Sequence, residues 1–225
     1  MKKNLIATLL GFGALLGAAS PAMSQTVVNG SFEQGTTGAD GGSCATGWTC
    51  TGNVNEQNWN YFNTQFGATA HLTASPNGGN VADAWYVSSS VPADSLSQTL
   101  ESLTIGKTYT VTFEEAITNR SATFYNGTMD WLVSIGGATL NSQAIGIPGP
   151  SESTLWTTVT ASFVADAASE TLKFLAQTSV ATAPEPVLLL DGVAVTAAVP
   201  EPSSYALLLA GVGVMFFVVK RRKAV

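Results

Sequence analysis

The densest run of side chains able to grip a ligand is Asn55-Glu56-Gln57-Asn58-Trp59-Asn60-Tyr61-Phe62-Asn63, where amides and a carboxylate alternate with aromatic rings. Rings stack on the faces of pyranoses while amides and carboxylates bond the hydroxyls, so this pattern suits a sugar. Trp85-Tyr86 and Tyr125-Asn126 repeat it on a smaller scale. The candidate ligand-binding residues are therefore Trp59, Tyr61, Trp85 and Tyr86. The competing assignment is that the rings fill a hydrophobic core and the amides shape turns.

Catalysis has less to draw on, and no catalytic residue is expected. His71 is the only histidine, so any Ser-His-Asp or Cys-His arrangement would have to be built on it. Glu114 and Glu115 are adjacent, but on a strand they point to opposite faces and cannot flank one bond. No phosphate-cradling glycine loop, metal-protease helix or nucleophile elbow occurs. The enzymatic alternative is a glycan-active hydrolase built from another pair of acids, with carboxyls roughly 5 to 10 Å apart. Cys44 and Cys50 are the only cysteines, and in an oxidising compartment so close a pair is expected to form a disulfide. The rival is zinc, but two cysteines and one histidine fall short of four ligands.

The elements that must position these groups read as strands. Between residues 25 and 199 no stretch holds a 3.6-residue apolar period over three turns, whereas Val, Ile, Thr, Tyr, Phe and Trp recur in alternation. Strands are expected at 81–88, 96–100, 108–113, 131–135, 156–164, 171–176 and 187–195, separated by turns rich in Gly, Asn, Pro and Ser. In 108–113 Tyr109, Val111 and Phe113 share a face, as do Trp131, Val133 and Ile135 in 131–135. The fold class is all-β, an antiparallel β-sandwich. Residues 35–47, rich in Gly, Thr and Ser, are expected to be an exposed loop tied down by the disulfide.

Both ends of the chain carry segments of a different kind. Lys2 and Lys3 precede an apolar run at 5–19, and small residues at Ala22 and Ser24 make 1–24 a secretory signal peptide cut before Gln25. At the other end 205–219 is wholly apolar and is followed at once by Lys220-Arg221-Arg222-Lys223. With Ser203 and Ser204 included, the helix would span about 26 Å, the short limit for crossing a bilayer. Basic clusters at both ends stay in the cytoplasm, which places the 25–198 domain across the inner membrane. That domain carries three cations (Lys107, Arg120 and Lys173) against fourteen carboxylates, a net charge of −11. Such a surface repels phosphates, so no nucleic-acid partner is expected.

Val199-Pro200-Glu201-Pro202, the apolar helix at about 203–219 and the basic tail 220–223 together resemble the PEP-CTERM sorting signal of Gram-negative bacteria that make extracellular polysaccharide. The resemblance implies that 199–225 is a sorting segment. It would be handed on by the secretion translocon and signal peptidase to exosortase, a membrane-embedded cysteine protease that cuts near the Pro-Glu-Pro motif. The inner membrane would then hold the chain only transiently, before the cell surface or the extracellular matrix of a biofilm. Pro184-Glu185-Pro186 repeats the motif, but Val187-Leu188-Leu189-Leu190 ends at Asp191, too short to span, and that copy reads as a turn.

The middle of the chain resembles galactose-binding-like jelly rolls, common among carbohydrate-binding modules. Val27-Val28-Asn29-Gly30-Ser31-Phe32-Glu33 with Gly47-Trp48 looks like the first strand of that fold, and Leu188-Leu189-Leu190-Asp191-Gly192-Val193-Ala194-Val195 like the last. Between them, 96–100 and 105–113 also follow its pattern. The resemblance implies polysaccharide as a partner and a structural Ca²⁺ where first and last strands meet, with Glu33 and Asp191 at the matching positions. Gly192 stands where relatives often place a second Asp. A purely structural matrix protein without a ligand is the alternative role.

Overall fold

The computed structural model describes residues 24, 25, 27–35, 43–65, 71–85, 94–180, 186–198 and 211. The expected signal peptide (Ser24 apart), Tyr86, the sorting motif, the membrane helix (Gly211 apart) and the basic tail lie outside the described residues. Among those described, no helix is long and apolar enough to cross a membrane.

Residues 22–198 form one compact unit. Its strands are β1 (Ser24–Gln25), β2 (Thr49–Thr51), β3 (Val54–Asn58), β4 (Asn80–Ala84), β5 (Ser95–Leu100) and β6 (Thr108–Asn119), then β7 (Thr128–Ile135), β8 (Ala138–Asn141), β9 (Ile145–Gly146), β10 (Thr157–Val164), β11 (Glu170–Thr178) and β12 (Pro186–Ala197). A short helix, α1 (Tyr61–Gln65), lies between β3 and β4. One sheet runs β10-β6-β12-β4-β3 with β1 beside β12, and the other runs β2-β5-β11-β7-β8 with β9 beside β7. All pairings are antiparallel. The sandwich expected from the alternation is the fold.

Alternation decides which side chains meet between the sheets. Tyr109, Val111, Phe113 and Ile117 of β6 face Met129, Trp131, Val133 and Ile135 of β7, with Leu172 and Phe174 of β11, in one buried cluster. Phe174 is at its centre, edge-on to Phe113 at 5.1 Å and to Trp131 at 6.2 Å. The Trp131 indole crosses the core and donates to the Leu189 carbonyl of the opposite sheet at 3.2 Å, so its one polar atom is satisfied there.

β6 and β12 run further than the alternation marked. Ala116, Ile117, Thr118 and Asn119 are all buried, as are Val187, Leu188, Leu189 and Leu190. A strand covered on both faces loses its polar alternation, and 187–190 reads as a continuous apolar run for that reason. In β12 the register shifts between Asp191 and Ala194. Gly192 sits there at a φ of 60°, where a Cβ would run into the Asn77 side chain, so a glycine fits the bulge best. Before the bulge Leu188 and Leu190 point inward; after it Val193 and Val195 do.

The expected first strand at 27–33 is instead a turn. Asn29 and Phe32 have φ of 51° and 52°. The Asn29 amide donates to the Gln34 and Thr46 carbonyls and accepts from the Gln34 N–H, curling the segment into a loop that no strand could form. The edge pairing with β12 is made two residues upstream, Gln25 opposite Val195. This loop and the Cys44–Cys50 disulfide frame Trp48, which packs against Phe32 at 5.4 Å and Phe174 at 6.2 Å. Replacing both cysteines by serine frees a short loop, and the chain-entropy argument puts the loss at about 2 kcal/mol. Urea denaturation of the double variant checks this: an unchanged midpoint would mean that Trp48 holds the loop unaided.

Candidate functional site

The first sheet has a second buried surface, on the face turned away from its partner sheet. Val81 and Trp85 from β4 and its end, Ala116 of β6, and Val187 and Leu189 of β12 form a small cluster with Phe62 of α1 and Leu72. Register explains the assembly: Leu189 lies opposite both Ala116 and Asp83, and Asp83 opposite Asn55 of β3. Trp59, Tyr61 and Trp156 pack at its margin and stay partly exposed. The run around residue 59 is thus brought to one face together with Trp85, as the ligand reading requires.

The members differ in what they can offer. Trp85 is 9% exposed, with Phe62 at 6.1 Å from its ring and the Arg120 guanidinium carbon 3.8 Å from its centroid. A sugar cannot stack where a guanidinium already lies, so Trp85 serves packing and a cation–π contact. Tyr61 sits edge-on to Phe62 at 5.8 Å, and the Trp156 indole donates to the Thr73 carbonyl at 3.0 Å, holding that ring over the margin. The amides are partly spent on shape: Asn63 exchanges two hydrogen bonds with the Leu72 backbone, and the Asn58 side chain accepts from the Asn60 N–H. Tyr125 packs against the inter-sheet core instead, away from this face. His71 is exposed.

Trp156, Arg120 and Asp83 were not singled out in the sequence. Trp156 is about a hundred residues from Trp59 and arrives only because Thr158 of β10 pairs with Glu114 of β6, which puts Trp156 on the outer face. Asp83 is fully buried there and accepts from the Trp85 indole and from the Asn55 N–H at 3.1 Å. Burial pushes its carboxyl up to about 7 against those hydrogen bonds and the Arg120 charge. Glu114 and Glu115 do part to opposite faces: Glu114 accepts from Thr158 on the outer one at 2.8 Å, while Glu115 is buried. Burial pushes Glu115 to about 7 as well, with the Ser142 hydroxyl offsetting it only in part and the Asp130 charge adding to it.

Asp191 lies on the outer face beside Glu114, fully buried, and accepts from the Ser75 hydroxyl and from the Gly192 N–H at 2.6 Å. Burial, with the Glu33 and Glu114 charges, raises it to about 7 against those two bonds. Glu33 is exposed and accepts from the Asn80 N–H at 2.8 Å. Among the described residues no three His, Cys, Asp or Glu side chains gather as a metal group. The oxygen-only chemistry of this corner fits a hard cation such as Ca²⁺, provided that backbone carbonyls or water complete the shell.

Residues 198–223 match the PEP-CTERM protein-sorting motif. No curated protein matches the chain. Among solved structures, the Stig cyclase Fisc from Fischerella sp. TAU, in complex with (3Z)-3-(1-methyl-2-pyrrolidinylidene)-3H-indole, is 20% identical with a TM-score of 0.55, covering 80% of this chain and 100% of its own. TmCBM61, solved with beta-1,4-galactotriose, is 16% identical with a TM-score of 0.44, covering 75% and 95%. The CBM22-1 xylan-binding domain of Paenibacillus barcinonensis Xyn10C is 15% identical with a TM-score of 0.42, covering 76% and 92%. At 20% identity and a TM-score of 0.55, what is shared with the cyclase is the fold, a sandwich of two antiparallel sheets.

The buried acids make stability depend on pH in a stated direction. Asp83 and Glu115 hold a proton more tightly in the folded chain than in the unfolded one, so their contribution is complete below the ordinary carboxylate range and is lost as pH rises through about 7. Thermal melts should show a midpoint several degrees lower at pH 8 than at pH 5, with the difference reduced in Asp83→Asn. Equal midpoints would refute the assignment.

Proposed function

We propose that the mature protein is a non-catalytic polysaccharide-binding jelly roll, exported and delivered to the cell surface or extracellular matrix through its sorting tail. The observation that carries the binding reading is the grouping of Trp59, Tyr61 and Trp156, partly exposed, at the margin of one sheet face whose interior is already packed. Rings held in place by a buried floor lose little freedom on binding, which is what a stacking platform for pyranoses needs. The solved likenesses include a module in complex with galactotriose and a xylan-binding domain, which is compatible with this reading without selecting a ligand. The sorting motif at 198–223 supports handling by an exosortase-like protease, with the tail as a temporary hold in the inner membrane.

The burial of Trp85 and Phe62 favours the second reading, a matrix component whose aromatics serve only the scaffold. Substitution separates the two. Trp59→Ala and Trp156→Ala should each weaken retention on the organism's own polysaccharide in affinity electrophoresis, by about tenfold if each ring contributes about 1.4 kcal/mol. Trp85→Ala should chiefly lower the melting temperature. Retention unchanged in both margin variants would leave the scaffold reading in place.

For the tail, intact-mass measurement should find the chain shortened near Pro200-Glu201-Pro202 in wild-type cells and uncut in cells lacking the exosortase. A full-length tail in the wild type would end the processing proposal.

A further inference from the structure

The outermost strand of a sheet leaves a row of backbone N–H and C=O groups that a further strand can take. Three of the four outermost strands here are short or partly covered. β2 has three residues and is tied by the Cys44–Cys50 disulfide. β8 has four. β3 has five, and its Glu56 N–H already donates to the Ser43 carbonyl at 3.2 Å. The Glu56 side chain lies opposite Ala82 and faces the inter-sheet side with Val54 and Ala82, completely buried. A charged residue turned inward on an edge strand opposes the addition of another strand.

β10 is different. It runs eight residues, Thr157–Val164, in unbroken register with β6, and among the described residues no strand pairs with its other side. The Ala165 N–H donates to the Lys107 carbonyl and the Ala165 carbonyl accepts from the Gly106 N–H. By the antiparallel alternation Thr157, Val159, Ala161 and Phe163 therefore direct their backbone groups to β6, while Thr158, Thr160, Ser162 and Val164 direct theirs away from it. From Ser153 to Ala165 there is no charged residue, proline or glycine, although the exported part holds fourteen carboxylates, and Thr, Val, Phe and Trp recur. Shortness, charge, proline and a bulge, the features that keep an edge single, are all missing from this strand.

We infer that β10 pairs antiparallel with β10 of a second copy of this chain, about a two-fold axis at Thr160, so that the first sheets of two chains become one. The occupant follows from charge. In a two-fold pair the strand meets itself, and a carboxylate or ammonium near the axis would face its own kind. A strand without charge meets no such repulsion, whereas a partner of different sequence would be selected by charges that this edge does not carry. The register follows from parity and apolar exposure. Opposed residues must share a face, which allows either Thr160 or Ala161 on the axis. With Thr160 there, Thr158 lies opposite Ser162 and Trp156 opposite Val164. Val164 is 58% exposed in the single chain, and Trp156 of the second copy covers it. The inference goes beyond sugar binding and stands whether or not the marginal rings take a glycan.

The test measures the mass of the full chain in detergent by light scattering after size exclusion, with the detergent contribution subtracted. An edge of this length makes a modest contact, so wild type should be a dimer at about 50 μM and dissociate in the micromolar range. Thr160 has an exposed side chain. Thr160→Lys and Thr160→Glu should each keep the wild-type melting temperature within about two degrees and weaken pairing at least tenfold, to a monomer at that concentration. An equimolar mixture of the two should be dimeric again, because lysine then meets glutamate on the axis. Under oxidation Thr160→Cys should cross-link to itself, while Thr110→Cys, one strand further in on the same face, should not. A monomeric wild type, whatever other strand it takes up, would overturn the assignment. So would a dimer that persists in both charge variants, which places the contact elsewhere, the tail helix included, or a mixture that stays monomeric. Cross-linking through Thr110→Cys and not Thr160→Cys would overturn the register.

Discussion

The structure depends most on β12 being covered on both faces. β6 pairs along nearly its whole length on one side, while β4 and then β1 share the other. Leu188 and Leu190 enter the inter-sheet core as Val187 and Leu189 enter the outer cluster. The bulge after Asp191 then rotates the strand so that Val193 and Val195 face inward. Without it, continued alternation would direct both valines to the outer side. Alternation before the shift thus lets a single strand serve two cores and turns Asp191 outward to Ser75, and the shift returns the strand's next two valines to the inner one.

A second constraint is electrostatic. The exported part has fourteen acids and three cations, so its buried carboxylates cannot all find an arginine or lysine. They are managed one by one. Asp83 takes an indole and a backbone N–H with Arg120 nearby, Asp191 takes a hydroxyl and a backbone N–H, and Glu115 has only partial help from Ser142. Acids raised to about 7 are largely protonated in mildly acidic surroundings, where their burial costs least. Glu56 takes only the Asn80 amide on one oxygen, and the other has no hydrogen-bond partner among the described residues.

Legibility in the sequence followed how local each signal was. The alternation of Tyr109, Val111 and Phe113, and of Trp131, Val133 and Ile135, marked the inner faces correctly, because a half-buried strand repeats every two residues. The Cys44–Cys50 bond was legible from spacing. The turn at 27–33 was not, since Asn29 and Phe32 at positive φ follow from side-chain hydrogen bonds to residues as distant as Thr46. The aromatic run around Trp59 does reach one sheet face together with Trp85, but neither the Arg120 guanidinium over Trp85 nor the marginal place of Trp156 is written in that run. Glu56 was assigned to a sugar by composition, and the pleat turned it the other way.

The contrast between tail and site has a physical origin. Translocon, signal peptidase and membrane protease act on chain that is extended or helical, so their substrates are contiguous and a linear pattern such as Val199-Pro200-Glu201-Pro202 with its apolar helix and cations is the whole signal. A ligand at the outer face would meet the folded surface, where Trp59, α1, the segment at residue 72, β4 and its end, β6, β12 and Trp156 contribute one or two side chains each. Each contribution taken alone looks like an ordinary core residue or turn amide. Only the register of β6 with β10 and β12, and of β4 with β12 and β3, makes neighbours of them. The sorting signal is therefore written in one dimension and the outer face in three, and a substitution in β12 that shifted its bulge would alter the second while leaving the first intact.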